Sequence, residues 1–400
     1  MLNVKVGLIG PFDMLKFKNM AKVREKAIQS AEAKEIVGEY TINKNAKALH
    51  PDCLKLVVSE IIDHEKAASK TFVFESEDKK PLPFFRAGQY LSLKLPIGES
   101  FVTRPYSISS APKLTKEGKI AVTVRSNPSG FAADWILNNL KVGDKLVSSA
   151  PEGHFYYEEL RDAKNVVALA GGSGITPFLS MAAAICDGTE DFNLTIIFGS
   201  RTEESILFKK ELDDICAKTE KVKVVHVLSD EEKEGYEHGF ITAEIIKKYA
   251  KEPFSIFMCG PEAMYRFAKK EIATLNLPKR LIRQEMLGVT KNVAACEGYP
   301  VGTEAKVFKG TVKVGASEYT IDVRADESIL VALERAGIKA PSRCRSGECG
   351  WCRSKLVSGN VYVPAENEGR RRSDRVNGYI HPCSTFATSD IVIEVPGEYI

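Results

Sequence analysis

Cys344-Arg345-Ser346-Gly347-Glu348-Cys349-Gly350-Trp351-Cys352, with Cys383 another 31 positions on, is the stretch on which the reading of this chain turns. C-x4-C-x2-C followed by a distant C is the spacing of a plant-type [2Fe–2S] site, where two irons need three thiolates from one tight loop and one from elsewhere. Gly347 and Gly350 let the backbone wrap closely and aim N–H groups at sulfur. A four-cysteine zinc site usually draws on two short C-x2-C pairs, and the second pair is missing here. Nine cysteines are an odd number for a disulfide framework. Their crowding fits a reducing compartment with a metal or redox site.

Working outward, Val312 to Val323 reads as two strands turning near Gly315. Ser328 to Ala336 reads as a helix, and Ile391 to Val395 as a closing strand. Residues 306–400 are therefore a small α+β module. Before it, 288–305 carry Gly288, Gly298, Pro300 and Gly302 with little apolar periodicity, and read as a linker. From Asn165 to Leu287 apolar runs (Val166 to Leu169, Leu194 to Phe198, Val222 to Val227, Ser255 to Met258) alternate with helical patterns, which predicts an α/β parallel sheet over 158–287. Over 51–157 short alternating strands at Leu56, Thr71, Tyr90 and Ile120 predict an antiparallel β-sandwich or barrel. Residues 1–50 form an N-terminal extension with Phe17, Met20, Val23, Ala27 and Ile28 at loosely helical spacing; a helix packed on the body is the simplest expectation.

Composition narrows the function classes. The chain has 400 residues, 44% of them hydrophobic and 27% charged, and a net charge of +3. That is ordinary globular usage with no electrostatic case for nucleic acid. The run Arg370-Arg371-Arg372 reads as a solvated loop. Met1 to Phe12 lacks the length and cleavage site of a secretory leader. The long uncharged stretch Asn165 to Cys186 is cut by Gly171-Gly172-Ser173-Gly174 and Pro177, so no integral membrane segment is expected.

Two further motifs carry chemistry. Arg104-Pro105-Tyr106-Ser107 alternates a cation, an aromatic ring and a hydroxyl, the groups a flavin's phosphate, ring and N5 edge need; alone the motif is weak. Val166 to Ala170 runs into Gly171-Gly172-Ser173-Gly174-Ile175-Thr176-Pro177, a strand, a glycine turn and a helix start whose bare N–H groups suit a diphosphate. The Rossmann G-x-G-x-x-G spacing is absent. Cys259-Gly260-Pro261 ends a later strand, and open α/β sheets bind ligands at the carboxyl ends of their strands.

On these motifs residues 306–400 resemble a plant-type ferredoxin on the β-grasp fold. Its 14 basic against 12 acidic residues depart from the strongly acidic surface typical of free ferredoxins. Residues 51–287 resemble the ferredoxin–NADP+ reductase superfamily, with Phe85, Gly88, Gln89 and Tyr90 and then Gly153-His154-Phe155 flanking the R-x-Y-S element. The resemblance implies that Arg104 meets the flavin phosphate, Tyr106 lines the ring and Ser107 approaches N5, with Pro105 among the cofactor-binding residues. Phe155 is a further cofactor contact, and backbone at Gly130 and Phe131 holds phosphate. The family's helix-start hydroxyl is replaced by Ala133, which weakens the choice of FAD over FMN. Gly171, Gly172, Gly174 and Thr176 would hold the nucleotide diphosphate. Cys259, Gly260 and Pro261 would lie beside the nicotinamide, with Glu285 as the acidic residue closing the unit, although relatives often carry an aromatic where Met286 stands. Ser229-Asp230-Glu231-Glu232 would repel a 2′-phosphate by like charge, and Arg201 points the other way; NADH is chosen over NADPH.

The order flavin, nicotinamide, ferredoxin resembles phthalate dioxygenase reductase and its kin. It implies a cytoplasmic NADH-dependent oxidoreductase that passes electrons through flavin and cluster to a separate redox partner protein. No terminal oxygenase site emerges from the six histidines. The alternative is a membrane-associated or non-turnover electron-transfer subunit, with residues 1–50 as its docking element.

Overall fold

The structure is a computed structural model that describes residues 11–31, 40–98, 100–126, 130–285 and 288–397. Most of the stretch inspected for a leader, and Met286, lie outside the described residues. The chain divides into two compact units, Met1–Ala48 and Leu49–Ile400. In the first, Pro11–Ser30 is a helix, which agrees with the loose periodicity. Phe17, Met20, Val23 and Ile28 are all exposed within it, and Lys22, Arg24 and Lys26 interrupt their stripe. Among the described residues no helix is long and apolar enough to cross a membrane.

The second unit begins with a six-stranded antiparallel sheet. Its spatial order is Ser100–Ser107, Tyr90–Ile97, Lys145–Ser148, Leu54–His64, Ser69–Ser76 and Lys119–Arg125. Just past the first edge strand Ile108 bridges Val122 on the other edge, so the sheet closes into the expected barrel and leaves little free edge. Leu56, Phe72, Phe74, Leu91 and Val122 fill the interior. Buried hydroxyls at the closure satisfy one another: Thr71 Oγ1 lies 2.8 Å from Thr123 Oγ1, which donates to Ser109 Oγ at 3.0 Å. The helix Phe131–Asn139 lays Ala132 and Ile136 on this core.

The next region is a parallel sheet in the order Glu237–His238, Val222–Leu228, Asn193–Ser200, Asn165–Gly171, Phe254–Cys259 and Ile282–Gln284. The four longer strands stand where the apolar runs predict them. The two edge strands escaped the sequence because two or three residues are too short to show a period. Chain order reverses between Asn165–Gly171 and Phe254–Cys259, and such a switch point opens the crevice where α/β sheets bind ligands.

The last module is a five-stranded sheet in the order Ser317–Arg324, Val307–Val314, Ile391–Val395, Ser354–Ser358 and Tyr379–Ile380. The helix Ile329–Arg335 packs Ile329 and Leu333 against Val312, Val323 and Ile393. Residues 288–305, read as a linker, lie against the ferredoxin-like module. Val293 and Tyr299 are buried in one cluster with Phe386, and the Tyr299 hydroxyl donates to the Ala325 carbonyl at 3.0 Å. Two apolar side chains with no period between them suffice to strap the segment onto the ferredoxin-like module.

Candidate functional site

The glycine turn and the strand end meet at the switch point. Cys259 pairs with Ala170 across the parallel ladder, which brings Gly171 to Gly174 against Cys259-Gly260-Pro261. A Cβ on Gly171 would meet Met264 Sδ at 2.5 Å and Pro261 Cδ at 3.0 Å. Gly172 has φ +54°, and a Cβ there would lie 2.2 Å from Arg125 Nη1. A short 3-10 turn, Gly172–Ile175, stands between strand and helix, so the α-helix itself begins at Thr176. The buried Thr176 hydroxyl donates to the Ser173 carbonyl at 3.0 Å.

Cys259 is buried, and burial followed by the charge of Glu285 pushes its thiol up. Sequence reasoning missed Tyr265, whose hydroxyl accepts from the Gly260 N–H at 3.2 Å and donates to the Glu285 carbonyl. It ties the strand end to the residue that closes the unit. The Glu285 N–H donates to the Met258 carbonyl at 3.0 Å. Its carboxyl lies far above the usual carboxylate range, first through burial and then through the charges of Glu348 and Cys344. Arg201 and Asp230 end neighbouring strands and are both exposed; the Asp230 N–H donates to the Arg201 carbonyl at 3.0 Å. The two residues that argue in opposite directions on the nucleotide stand side by side.

In the barrel, Arg104, Pro105, Tyr106 and Ser107 lie on the edge strand paired with Tyr90–Ile97. Burial pushes the Tyr106 hydroxyl up to about 12. Burial, then the like charge of Arg345, brings the Arg104 guanidinium down to about 10. Arg104 is half-buried, with the Glu334 carboxylate 3.7 Å from its Nη1; a cation held next to a second one favours an anion's charge, so these residues fit a phosphate-bearing flavin. Gly130 is the N-cap of the helix Phe131–Asn139, with no side chain capping it, and Phe131 is exposed. Phe155 stands apart from this group. Its ring is in the apolar core, 5.7 Å from that of Phe178 and 5.4 Å from that of Phe257.

The cysteine loop is shaped for thiolates. Ser346 N–H lies 3.5 Å and Cys349 N–H 3.4 Å from Cys344 Sγ, and Trp351 N–H 3.4 Å from Cys349 Sγ. Gly347 has φ +87°, and a Cβ there would fall 2.3 Å from the Asn367 carbonyl oxygen. The Sγ atoms of Cys352 and Cys383 are 3.4 Å apart, and all four cysteines are free thiols. Among the described residues no group of three or more His, Cys, Asp or Glu is arranged to hold a single metal ion. Four free thiols gathered at one loop, two of them in contact and two accepting backbone N–H groups, fit a two-iron cluster.

The loop also touches the barrel. Arg343 pairs with Glu152, donates to the Asp52 carbonyl at 3.3 Å and stacks 3.5 Å over the Trp351 ring. Glu152 is the bridge partner of Tyr90, a buried tyrosine whose hydroxyl is pushed up by burial and by Cys344 and Cys349. A cleft of about 370 Å3 between the 63–67 turn and the 204–208 loop is lined by none of the candidate residues.

Three modules of an oxidoreductase are recognisable by comparison. Residues 54–157 match the oxidoreductase FAD-binding domain, 168–270 the oxidoreductase NAD-binding domain and 312–388 the 2Fe-2S iron-sulfur cluster binding domain. The chain is 27% identical to the glycine betaine monooxygenase reductase subunit of Chromohalobacter salexigens, over 81% of this chain and 91% of that protein. It is 29% identical to the 3-ketosteroid-9-alpha-monooxygenase ferredoxin reductase component of Mycobacterium tuberculosis, over 85% and 94%. The solved structure of phthalate dioxygenase reductase shares the fold with a TM-score of 0.60 at 24% identity, covering 86% of this chain and 98% of that one. The chain belongs to the ferredoxin–NADP+ reductase-like flavoproteins that carry a C-terminal [2Fe–2S] ferredoxin domain.

Proposed function

We propose that this protein is a cytoplasmic NADH-dependent reductase that hands single electrons to a separate oxygenase or reductase component. A bound flavin would supply the ability to take one hydride, two electrons at once, and to pass them on singly, a conversion no side chain performs. In this reading Arg104 holds the flavin phosphate, with backbone at Gly130 and Phe131 beside it. Pro105 and Tyr106 line the ring, and Ser107 meets N5. Gly171, Gly172, Gly174 and Thr176 take the diphosphate, and Arg201 and Asp230 flank the ribose. Cys259, Gly260, Pro261 and Glu285 surround the nicotinamide. Cys344, Cys349, Cys352 and Cys383 bind the cluster. Phe155 supports the site through the core.

The observation that carries the reading is the meeting of all three modules. The loop bearing Cys344 is tied to the barrel through Arg343 and Glu152, and Lys269 of the nicotinamide module pairs with Glu366 of the ferredoxin-like module at 3.5 Å. The relatives' names speak of reductase parts of monooxygenases, which supports a partner protein as acceptor. Purified anaerobically and mixed with NADH, the chain should bleach its flavin band, give the EPR signal of a reduced binuclear cluster, and reduce cytochrome c. A sample containing iron and acid-labile sulfide that shows no such signal overturns the reading.

A further inference from the structure

The run Arg370-Arg371-Arg372, a solvated loop on sequence alone, belongs to a built surface of the ferredoxin-like module. The strands Ser354–Ser358 and Tyr379–Ile380 pair with Lys355 opposite Tyr379. The Arg353 guanidinium lies 3.6 Å over the Tyr379 ring, and Lys355 Nζ is 5.1 Å from the ring centre. Arg370 Nη1 donates to the Tyr379 carbonyl at 3.4 Å. The short helix Arg372–Val376 is joined to the strands by Asp374, whose carboxylate accepts from Arg353 Nε at 2.5 Å. Residues 353–379 hold six cations against three carboxylates, a net of +3. Asp374 is taken by Arg353 and Glu368 by Arg370, and Glu366 turns to Lys269 of the nicotinamide module. Arg371 and Arg372 are exposed and enter no ion pair among the described residues. Val376 stands exposed among them.

This face adjoins the proposed cluster ligands. Arg353 directly follows Cys352, and Tyr379 stands four residues before Cys383. The Sγ atoms of those two cysteines are 3.4 Å apart, so both strands of the basic face lead away from one pair of thiols. Other sides of the module are taken up within the chain: Arg343 pairs with Glu152 of the barrel, and the Tyr362 hydroxyl donates to the Glu297 carbonyl at 2.7 Å. We propose that the electron acceptor docks on the face centred on Tyr379, and that it meets this face with an acidic surface. An excess of positive charge steers a negative partner and speeds the encounter, an effect that salt screens. Electron-transfer contacts are small, so charge can select the partner where little apolar area is buried. Guanidinium groups laid on an aromatic ring are held in place and still offer N–H donors to carboxylates. Nucleic acid and anionic lipid carry the same charge. The acidic protein is favoured because the face begins one residue from a cluster ligand, where an outgoing electron needs its acceptor.

The inference rests on the reading of the chain as a reductase with a separate acceptor, and the experiment keeps the two apart. Two probe proteins of opposite charge, acidic cytochrome b5 and basic cytochrome c, are bound to the intact chain without NADH. Calorimetry follows binding across a range of salt, and NADH-driven reduction of each probe is measured alongside. Cytochrome b5 should bind the more tightly at low salt and lose affinity as salt rises. The triple variant Arg371→Glu, Arg372→Glu, Arg375→Glu should weaken cytochrome b5 binding by about tenfold or more, raise its KM in step and favour cytochrome c. Bleaching of the flavin by NADH and the cluster's EPR signal should stay as before. Where the triple variant loses that signal, Arg371→Gln with Arg372→Gln removes charge without reversing it and should give a smaller shift in the same direction. Unchanged cytochrome b5 binding in a variant that keeps the EPR signal overturns the inference, as does an equal loss of both probes. Binding of duplex DNA or phosphatidylserine vesicles that the variant loses, with cytochrome b5 unaffected, gives the face to another polyanion and overturns it too. An unmodified chain that binds cytochrome b5 but reduces neither probe overturns the reductase reading instead.

Discussion

Gly174 and Cys259 approach so closely that a Cβ on residue 174 would sit 2.1 Å from the Cys259 carbonyl oxygen and 2.7 Å from the Gly260 amide nitrogen. Both obstacles are backbone, and backbone cannot rotate aside as a side chain can. The glycine turn is therefore a fitted part of the switch point, and its tightness keeps the two strand ends within reach of one ligand.

Gly174→Ala forces those strand ends apart. It should lower stability by about 1–3 kcal/mol, the usual size of an overpacking penalty, and weaken NADH binding. Thermal melting and NADH titration of the same preparation check this. A lower melting temperature with unchanged NADH affinity would detach this contact from the nucleotide site.

Cys349→Ala removes a sulfur that accepts the Trp351 N–H at 3.4 Å. The variant should lose the cluster's visible absorbance and EPR signal while NADH still bleaches the flavin. Rapid-mixing absorbance at the flavin band measures the second half. Full cluster absorbance in the variant would remove Cys349 from the ligand set.

Asp230→Arg reverses the charge beside Arg201, whose carbonyl already accepts the Asp230 N–H. Two guanidinium groups at neighbouring strand ends suit a 2′-phosphate. The preference for NADPH over NADH, measured as the ratio of kcat/KM, should rise by about tenfold or more, which corresponds to roughly 1.4 kcal/mol. An unchanged ratio places the ribose elsewhere.

His226 sits between the rings of Phe198 and Tyr236, each 5.9 Å away, with neither ring nitrogen hydrogen-bonded. Burial first, then the charge of Lys209, holds its imidazole below the ordinary 6.5, against the pull of Asp213 and Glu203. The unfolded chain takes the proton first as pH falls below 6.5. Native stability is therefore lost through the window between that value and the lower native one. His226→Phe, which cannot titrate, should raise the melting temperature more near about pH 5 than near about pH 8. Equal shifts at both would mean the histidine is already satisfied when charged.

What the sequence determined by itself is what short-range pattern encodes. Cysteine spacing, the alternation in Arg104 to Ser107, the apolar runs ending in glycine or Cys259, and the order of the three modules are all local. Each reflects a chemical need met within a few residues, a sulfur cage or a bare amide turn. Tertiary structure alone decided which of these groups share a place. Tyr265 binding Glu285, Arg343 on Glu152, Glu334 beside Arg104, and Phe155 in the core against Phe178 and Phe257 rather than beside the motif are pairings across about twenty to more than two hundred residues. They carry no period or spacing that a sequence displays. Such contacts form only when sheets close and modules dock, because burial and charge pairing act on distance in space and are blind to distance along the chain.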